Sequence, residues 1–190
     1  MMNKRLKQGS TFLLAVALTF PLLTLPGAKA ANAIDTDAEC SIQFDIDGNS
    51  SELLSASIPV NLYKVASVDE SGNYTGTGAF SKLDLSSVSA DNLDTAAATW
   101  AERAAEAKKL LKDNTESPTT VTLTQGRGTA TGLKTGLYLV DTPKVITPNY
   151  TYTFTPYLVS LPTNNYYNGK DASDNWIYDL TKEMNSAVGL

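Results

Sequence analysis

An all-β sandwich with one inserted amphipathic helix is the fold class this 190-residue sequence predicts, and three features predict it. Apolar residues recur at every second position in short Thr-rich runs, the signature of half-buried strands. Turn chemistry separates those runs, as at Asp47-Gly48-Asn49 and Glu70-Ser71-Gly72-Asn73. Between Asp91 and Asn114 the spacing changes to three and four, which is the helical period.

Residues 1–30 carry a different signal. A basic start (Lys4, Arg5, Lys7) precedes an apolar run from Phe12 to Leu25, then Pro26-Gly27 and the small-x-small triplet Ala28-Lys29-Ala30. This pattern predicts a secretory signal peptide over residues 1–30, cleaved after Ala30. A second triplet, Ala31-Asn32-Ala33, leaves cleavage after Ala33 open. Pro21 and Pro26 interrupt a stretch already short for a ~30 Å hydrocarbon layer, so no membrane association is expected after cleavage. Residues 31–190 then form one exported domain, long enough to bury ~70% of its unfolded surface without staples.

The first strand has Ile42, Phe44 and Ile46 alternating with Ser41, Gln43 and Asp45, and Cys40 is read as part of it. Residues 58–66 begin with Val60 and Leu62 on one face, then slip phase to Tyr63 and Val65, as a bulged or doubly covered strand would. The helix over 91–114 places Leu93, Ala97, Trp100, Ala104, Ala107 and Leu111 on one stripe, which suits packing onto a sheet. Ser89 or Asp91 can cap its start, Lys108, Lys109 and Lys112 suit its negative end, and Asn114 suits the stop. Further strands are expected at Val121–Leu123, Gly136–Asp141, Tyr150–Phe154, Tyr157–Leu161 and from Trp176 to Leu180, with Pro156 as a divider.

Composition removes several chemistries. There is no His, so a Ser-His-Asp or Cys-His nucleophile system cannot be assembled, and with one Cys neither can a Cys/His zinc site. An exported chain with only Cys40 closes no disulfide on itself. Signal removal takes away Lys4, Arg5, Lys7 and Lys29 and no acidic residue, which shifts the formal charge from −5 to −9. Such a surface repels phosphate backbones and anionic lipid, so a nucleic-acid partner is not expected. Asp45, Asp47, Asn49 and Glu52 imitate a calcium loop, but Gly48 is misplaced and Ala56 stands where the bidentate carboxylate belongs. Asp171, Asp174 and Asp179 form no pair at the separation a glycosidase requires. No cofactor or metal is expected, and no enzymatic activity.

In order behind the signal peptide come LYKVA (62–66), GLKTGLYLVDT (132–142), YTFTPYLVSLPT (152–163) and NWIYDLT (175–181). This combination resembles the N-terminal domain of Gram-positive sortase-assembled major pilins, over essentially the whole mature chain. The resemblance implies an immunoglobulin-like sandwich related to collagen-adhesin B-type modules, often with a helical insertion. It implies a structural role in a pilus or surface fibre on the bacterial exterior, with other pilin subunits and a sortase as partners. In that family a sortase links the sorting signal of one subunit to a lysine of the next. The lysine stands in a W…YPK motif nine residues after the Trp. Position 185 is Asn185 here, and the nearest amine is Lys182, six residues after Trp176, which makes it the candidate acyl acceptor.

The family also forms an internal Lys-Asn isopeptide bond beside a buried carboxylate. Asp141 occupies the acid's position, but the first strand from Cys40 to Ile46 holds no lysine, so no internal cross-link is expected and Asp141 reads as a vestigial acid. The sequence ends at Leu190 with no sorting signal, which suits a truncated pilin, a free domain, or a last strand completed by a partner. A second reading is an adhesion module for host glycan or matrix, because Tyr166 and Tyr167, flanked by Asn164, Asn165 and Asn168, resemble a surface that stacks on sugars.

Overall fold

The structure is a computed structural model, and it describes residues 33–46, 50–90, 97–112, 115–164 and 175–189. In chain order the elements are β1 (Glu39–Ile46), α1 (Ser51–Ser55), β2 (Ile58–Val68), β3 (Tyr74–Gly76), α2 (Ala97–Leu111), β4 (Thr119–Leu123) and β5 (Arg127–Lys134). They continue with β6 (Gly136–Asp141), β7 (Val145–Ile146), β8 (Thr151–Thr153), β9 (Tyr157–Leu161), β10 (Thr163–Asn164), β11 (Trp176–Ile177), β12 (Asp179–Met184) and β13 (Ala187–Gly189).

Two sheets face each other across the main core. One has the order β12-β1-β5, and the other β3-β2-β6-β9 with β4 also paired to β2. Ile42 and Phe44 of β1, Ala130 and Leu133 of β5 and Met184 of β12 meet Val60 and Leu62 of β2, Tyr138 and Val140 of β6 and Val159 and Leu161 of β9. The first and last long strands, β1 and β12, pair in parallel, Ile42 beside Leu180 and Ile46 beside Met184. The expected all-β immunoglobulin-like sandwich is the architecture found. A small third sheet, β13-β8-β7, closes one end over Tyr152 and Val145.

The second sheet is covered on both faces, which explains its sequence. β6 is buried at every position: Tyr138 and Val140 face the main core, while Leu137 and Leu139 face α2. A strand with no wet face reads as a continuous apolar run, and GLYLV is one. Trp100, Ala104 and Ala107 supply the helix side, and Trp100 also meets Tyr74 edge-on with ring centroids 6.2 Å apart. Both halves of the phase-slip expectation hold in β2: its register against β6 shifts between Lys64 and Ala66, and Val65 turns to the helix side. Gly136 lets β6 approach there, because a Cβ would come within 2.3 Å of the Ala66 carbonyl oxygen and its φ is +151°.

Several boundaries differ from expectation. The described part of the helix is Ala97–Leu111, and the expected residues at 91–96 and 113–114 lie outside the described residues. The Trp176 strand is broken at Tyr178, since β11 pairs with β10 while β12 pairs with β1 and runs on to Met184. The Tyr150–Phe154 alternation yields only Thr151–Thr153 as strand; Tyr152 is buried and Tyr150 remains exposed. β5 was not expected, because only Ala130 and Leu133 face inward and Gly132, at φ +67°, breaks the period.

Candidate functional site

Lys182 lies on β12, and the parallel register sets which way it faces. Residues paired across a parallel ladder share a face, and Lys182 is the partner of Phe44, which is fully buried in the core. Its neighbours at the same period are Leu180, packed against the core, and Met184, buried in it. Lys182 therefore occupies a core-facing position and is nonetheless exposed, because the sandwich is open there. Asp179, Thr181 and Glu183 take the outer face, where the Asp179 carboxylate accepts a hydrogen bond of 2.6 Å from the Ser41 hydroxyl.

The opening is a groove of about 910 Å³. Its walls are two strands that end their sheets among the described residues: β9 pairs only with β6, and β12 only with β1. Leu180, Lys182 and Met184 line one side; Tyr157, Leu158 and Val159 line the other, and Ala97, Trp100 and Ala101 of α2 form the rim. The Trp100 indole N–H and the Tyr157 hydroxyl are buried in this wall without a hydrogen-bond partner among the described residues. Burial alone pushes the Tyr157 phenol well above its ordinary range, so it is a neutral donor. The groove thus offers an amine, two unsatisfied donors and two free strand edges around an apolar floor.

Asp141 takes a different place. It sits at the end of β6 on the helix-covered face, 8% exposed, and its carboxylate is ion-paired with the Lys108 ammonium of α2. Asn61 of β2 stands opposite it in the ladder, its side-chain oxygen accepting from the Thr120 hydroxyl at 2.7 Å. β1, from which the resembled family draws its isopeptide lysine, lies across the sheet from that face, and its inward positions are Cys40, Ile42 and Phe44. Sequence reasoning missed Lys108 as the partner; its place at the basic end of the helix stripe was the only signal. Tyr166 and Tyr167 lie outside the described residues.

A second cluster closes the other end of the sandwich. Cys40 is 2% exposed, and burial, then the Asp179 charge, pushes its thiol up to about 11. A thiol so placed is packing rather than nucleophile. Lys64 reaches towards it from β2, its amine held below the ordinary lysine range by partial burial and then by Lys134. No helix among the described residues is long and apolar enough to cross a membrane.

No family model matches the chain, and no curated protein matches it in sequence. Its structural neighbours are Gram-positive pilins. The full-length major pilin SpaD from Corynebacterium diphtheriae is 19% identical with a TM-score of 0.47, over 83% of this chain and 32% of that one. The fimbrial protein FimP from Actinomyces oris is 18% identical with a TM-score of 0.47, over 80% and 30%. The pilus backbone RrgB from Streptococcus pneumoniae is 14% identical with a TM-score of 0.33, over 77% and 40%. The chain spans about a third of the length of these proteins.

Proposed function

We propose that this chain is a secreted structural module of a bacterial pilus or cell-surface fibre, joined to other subunits by a sortase with Lys182 as the acyl acceptor. The observation that carries the reading is the placement of Lys182: an amine on a free edge strand, at a core-facing position, inside an open groove. A sortase acyl-enzyme is a thioester. The neutral amine nitrogen attacks its carbonyl carbon, the C–N bond forms, the C–S bond breaks, and the amine proton goes with the departing thiolate. The product is an amide between two chains, and the module itself catalyses nothing. The free edges of β9 and β12 give a donor peptide somewhere to lie while the amine attacks.

The sequence resemblance over residues 62–181 supports the same reading, and so does the doubly covered β6 sheet, which suits a load-bearing unit. The test is incubation of the mature chain with a pilus sortase and a labelled LPXTG peptide, followed by peptide mapping. Label at Lys182 is expected, and Lys182→Arg should abolish it. Label on another lysine, or on none, would sink the assignment.

A further inference from the structure

We propose that Asp179 is the positioning residue of the acceptor amine: by taking the Ser41 hydroxyl it fixes the register of β12 against β1, and the register fixes the layer in which Lys182 stands. The consequence for Lys182 rests on the acyl-acceptor reading, while the register is a property of the strand pair alone. A backbone ladder bonds equally well in several registers, so side chains must choose among them. A slip of one residue is barred by the core, because it would turn Lys182 outward and Thr181 and Glu183 inward. A slip of two keeps every side chain on its own face. It would set Lys182 beside Ile42, Met184 beside Phe44 and Leu180 beside Cys40, so the inner row stays apolar around the amine and discriminates weakly.

The outer row makes the choice. Asp179 stands beside Ser41 and accepts its hydroxyl at 2.6 Å. A two-residue slip would lose this bond and set Asp179 beside Glu39, a like charge. Glu183 biases the pair the other way, since it stands beside Asp45 and the slip would move it beside Gln43. Arg127 lessens that repulsion by holding the Asp45 carboxylate at 2.6 Å from the β5 side. The end of the ladder that Asp179 occupies is fastened twice more: the Ser41 N–H donates to the Tyr178 carbonyl at 2.9 Å, and the Asp35 N–H donates to the Tyr178 hydroxyl at 2.8 Å. At the far end β13 is held by β8.

A two-residue slip carries Lys182 about 7 Å along the strand. An acyl transfer that depends on the nitrogen meeting the thioester carbonyl tolerates misplacement of only ~1 Å before the rate falls steeply. Asp179 therefore touches neither peptide nor sortase and acts through the place it gives the amine.

The experiment is disulfide trapping in purified residues 31–190, in which the native Cys40 is buried and stays out of the chemistry. Gln43→Cys with Thr181→Cys places two thiols side by side on the outer face in the observed register. Gln43→Cys with Glu183→Cys places them about 8 Å apart, beyond the reach of a disulfide, and brings them together only after a two-residue slip. In the second pair Asp179→Ala should raise the initial rate of disulfide formation about fivefold, the worth of one such hydrogen bond. Asp179→Asn, whose side-chain oxygen still accepts the Ser41 hydroxyl, should keep the slow rate. An unchanged rate in Asp179→Ala, or an equal rise in Asp179→Asn, would overturn the proposal. The two oxidised proteins then go to a pilus sortase with a labelled LPXTG peptide: the in-register form should take label at Lys182, and the slipped form at least about tenfold more slowly. Equal labelling of the two, or none in the in-register form when wild type is labelled, would also overturn it. Absence of label in wild type would instead remove the acyl-acceptor reading and leave the trapping rates to judge the register.

Discussion

Replacement of Trp100 by Phe should leave stability almost unaltered, whereas replacement by Ala should cost about 3 kcal/mol, and the contrast follows from one orphaned N–H. Trp100 is 8% exposed and anchors α2 against Leu137, Leu139 and Leu158. A side chain of this kind buries ~200 Å², or about 5 kcal/mol at 25 cal/mol/Å², as an upper bound. Edge-on contact with Tyr74 adds about 1 kcal/mol. Against this, the buried indole N–H has no hydrogen-bond partner among the described residues, a penalty of ~1–3 kcal/mol that both substitutions relieve. Ala therefore loses most of the packing and recovers part of it as relief. Phe keeps one ring, loses ~2 kcal/mol of apolar contact and regains about as much, so its net change stays within about 1 kcal/mol. Chemical denaturation followed by far-UV circular dichroism reads both, with the denaturant slope unchanged if the native fold is kept. A loss of 2 kcal/mol or more for Trp100→Phe would refute the reasoning, because it would mean the N–H has a partner worth keeping.

Titratable groups elsewhere in the sandwich set how stability depends on pH. Hydrogen bonding holds Asp45 (Arg127), Glu52 (Thr147), Asp69 (Asn73) and Asp84 (Ser86) below the usual carboxylate range. Depressed folded-state values mean that the unfolded chain binds protons first, so Tm should be flat from neutral pH down to about 5 and fall as pH drops through 4. Cys40 works at the other limb: its raised thiol stays protonated in the folded state while the unfolded thiol ionises, so stability should decline as pH rises past about 9. A Tm that climbs below pH 4 would contradict the first, and one unchanged between pH 8 and 10.5 the second. Purified residues 31–190 should also show an intact mass equal to their sequence value; one ammonia less would reveal a Lys-Asn bond, and one water less an amide between Lys108 and Asp141.

Much of the fold was legible in the sequence because burial imposes periods. Ile42, Phe44 and Ile46 announced β1, and Tyr157 to Leu161 gave β9 with its boundary at Pro156. The slip at Tyr63 and Val65 marked a strand that changes which layer it serves. β5 escaped because a Thr- and Gly-rich strand with two inward residues has almost no hydrophobic pattern. The break at Tyr178 escaped because Trp176, Tyr178 and Leu180 keep one alternation while their strands join different sheets.

Residue chemistry settled locally what this protein is made of: an acidic, His-free chain of strands with an amphipathic helix, and an amine and an acid at identifiable positions. Which face each of those groups took was decided only by pairing. Asp141 met Lys108 because odd positions of β6 turn towards α2, and Lys182 came to a core-facing place in an open groove because a parallel register set it beside Phe44. A side chain's alternation is written along its own strand, but the layer it turns towards depends on a partner far away in sequence, and only the assembled sheets supply that partner.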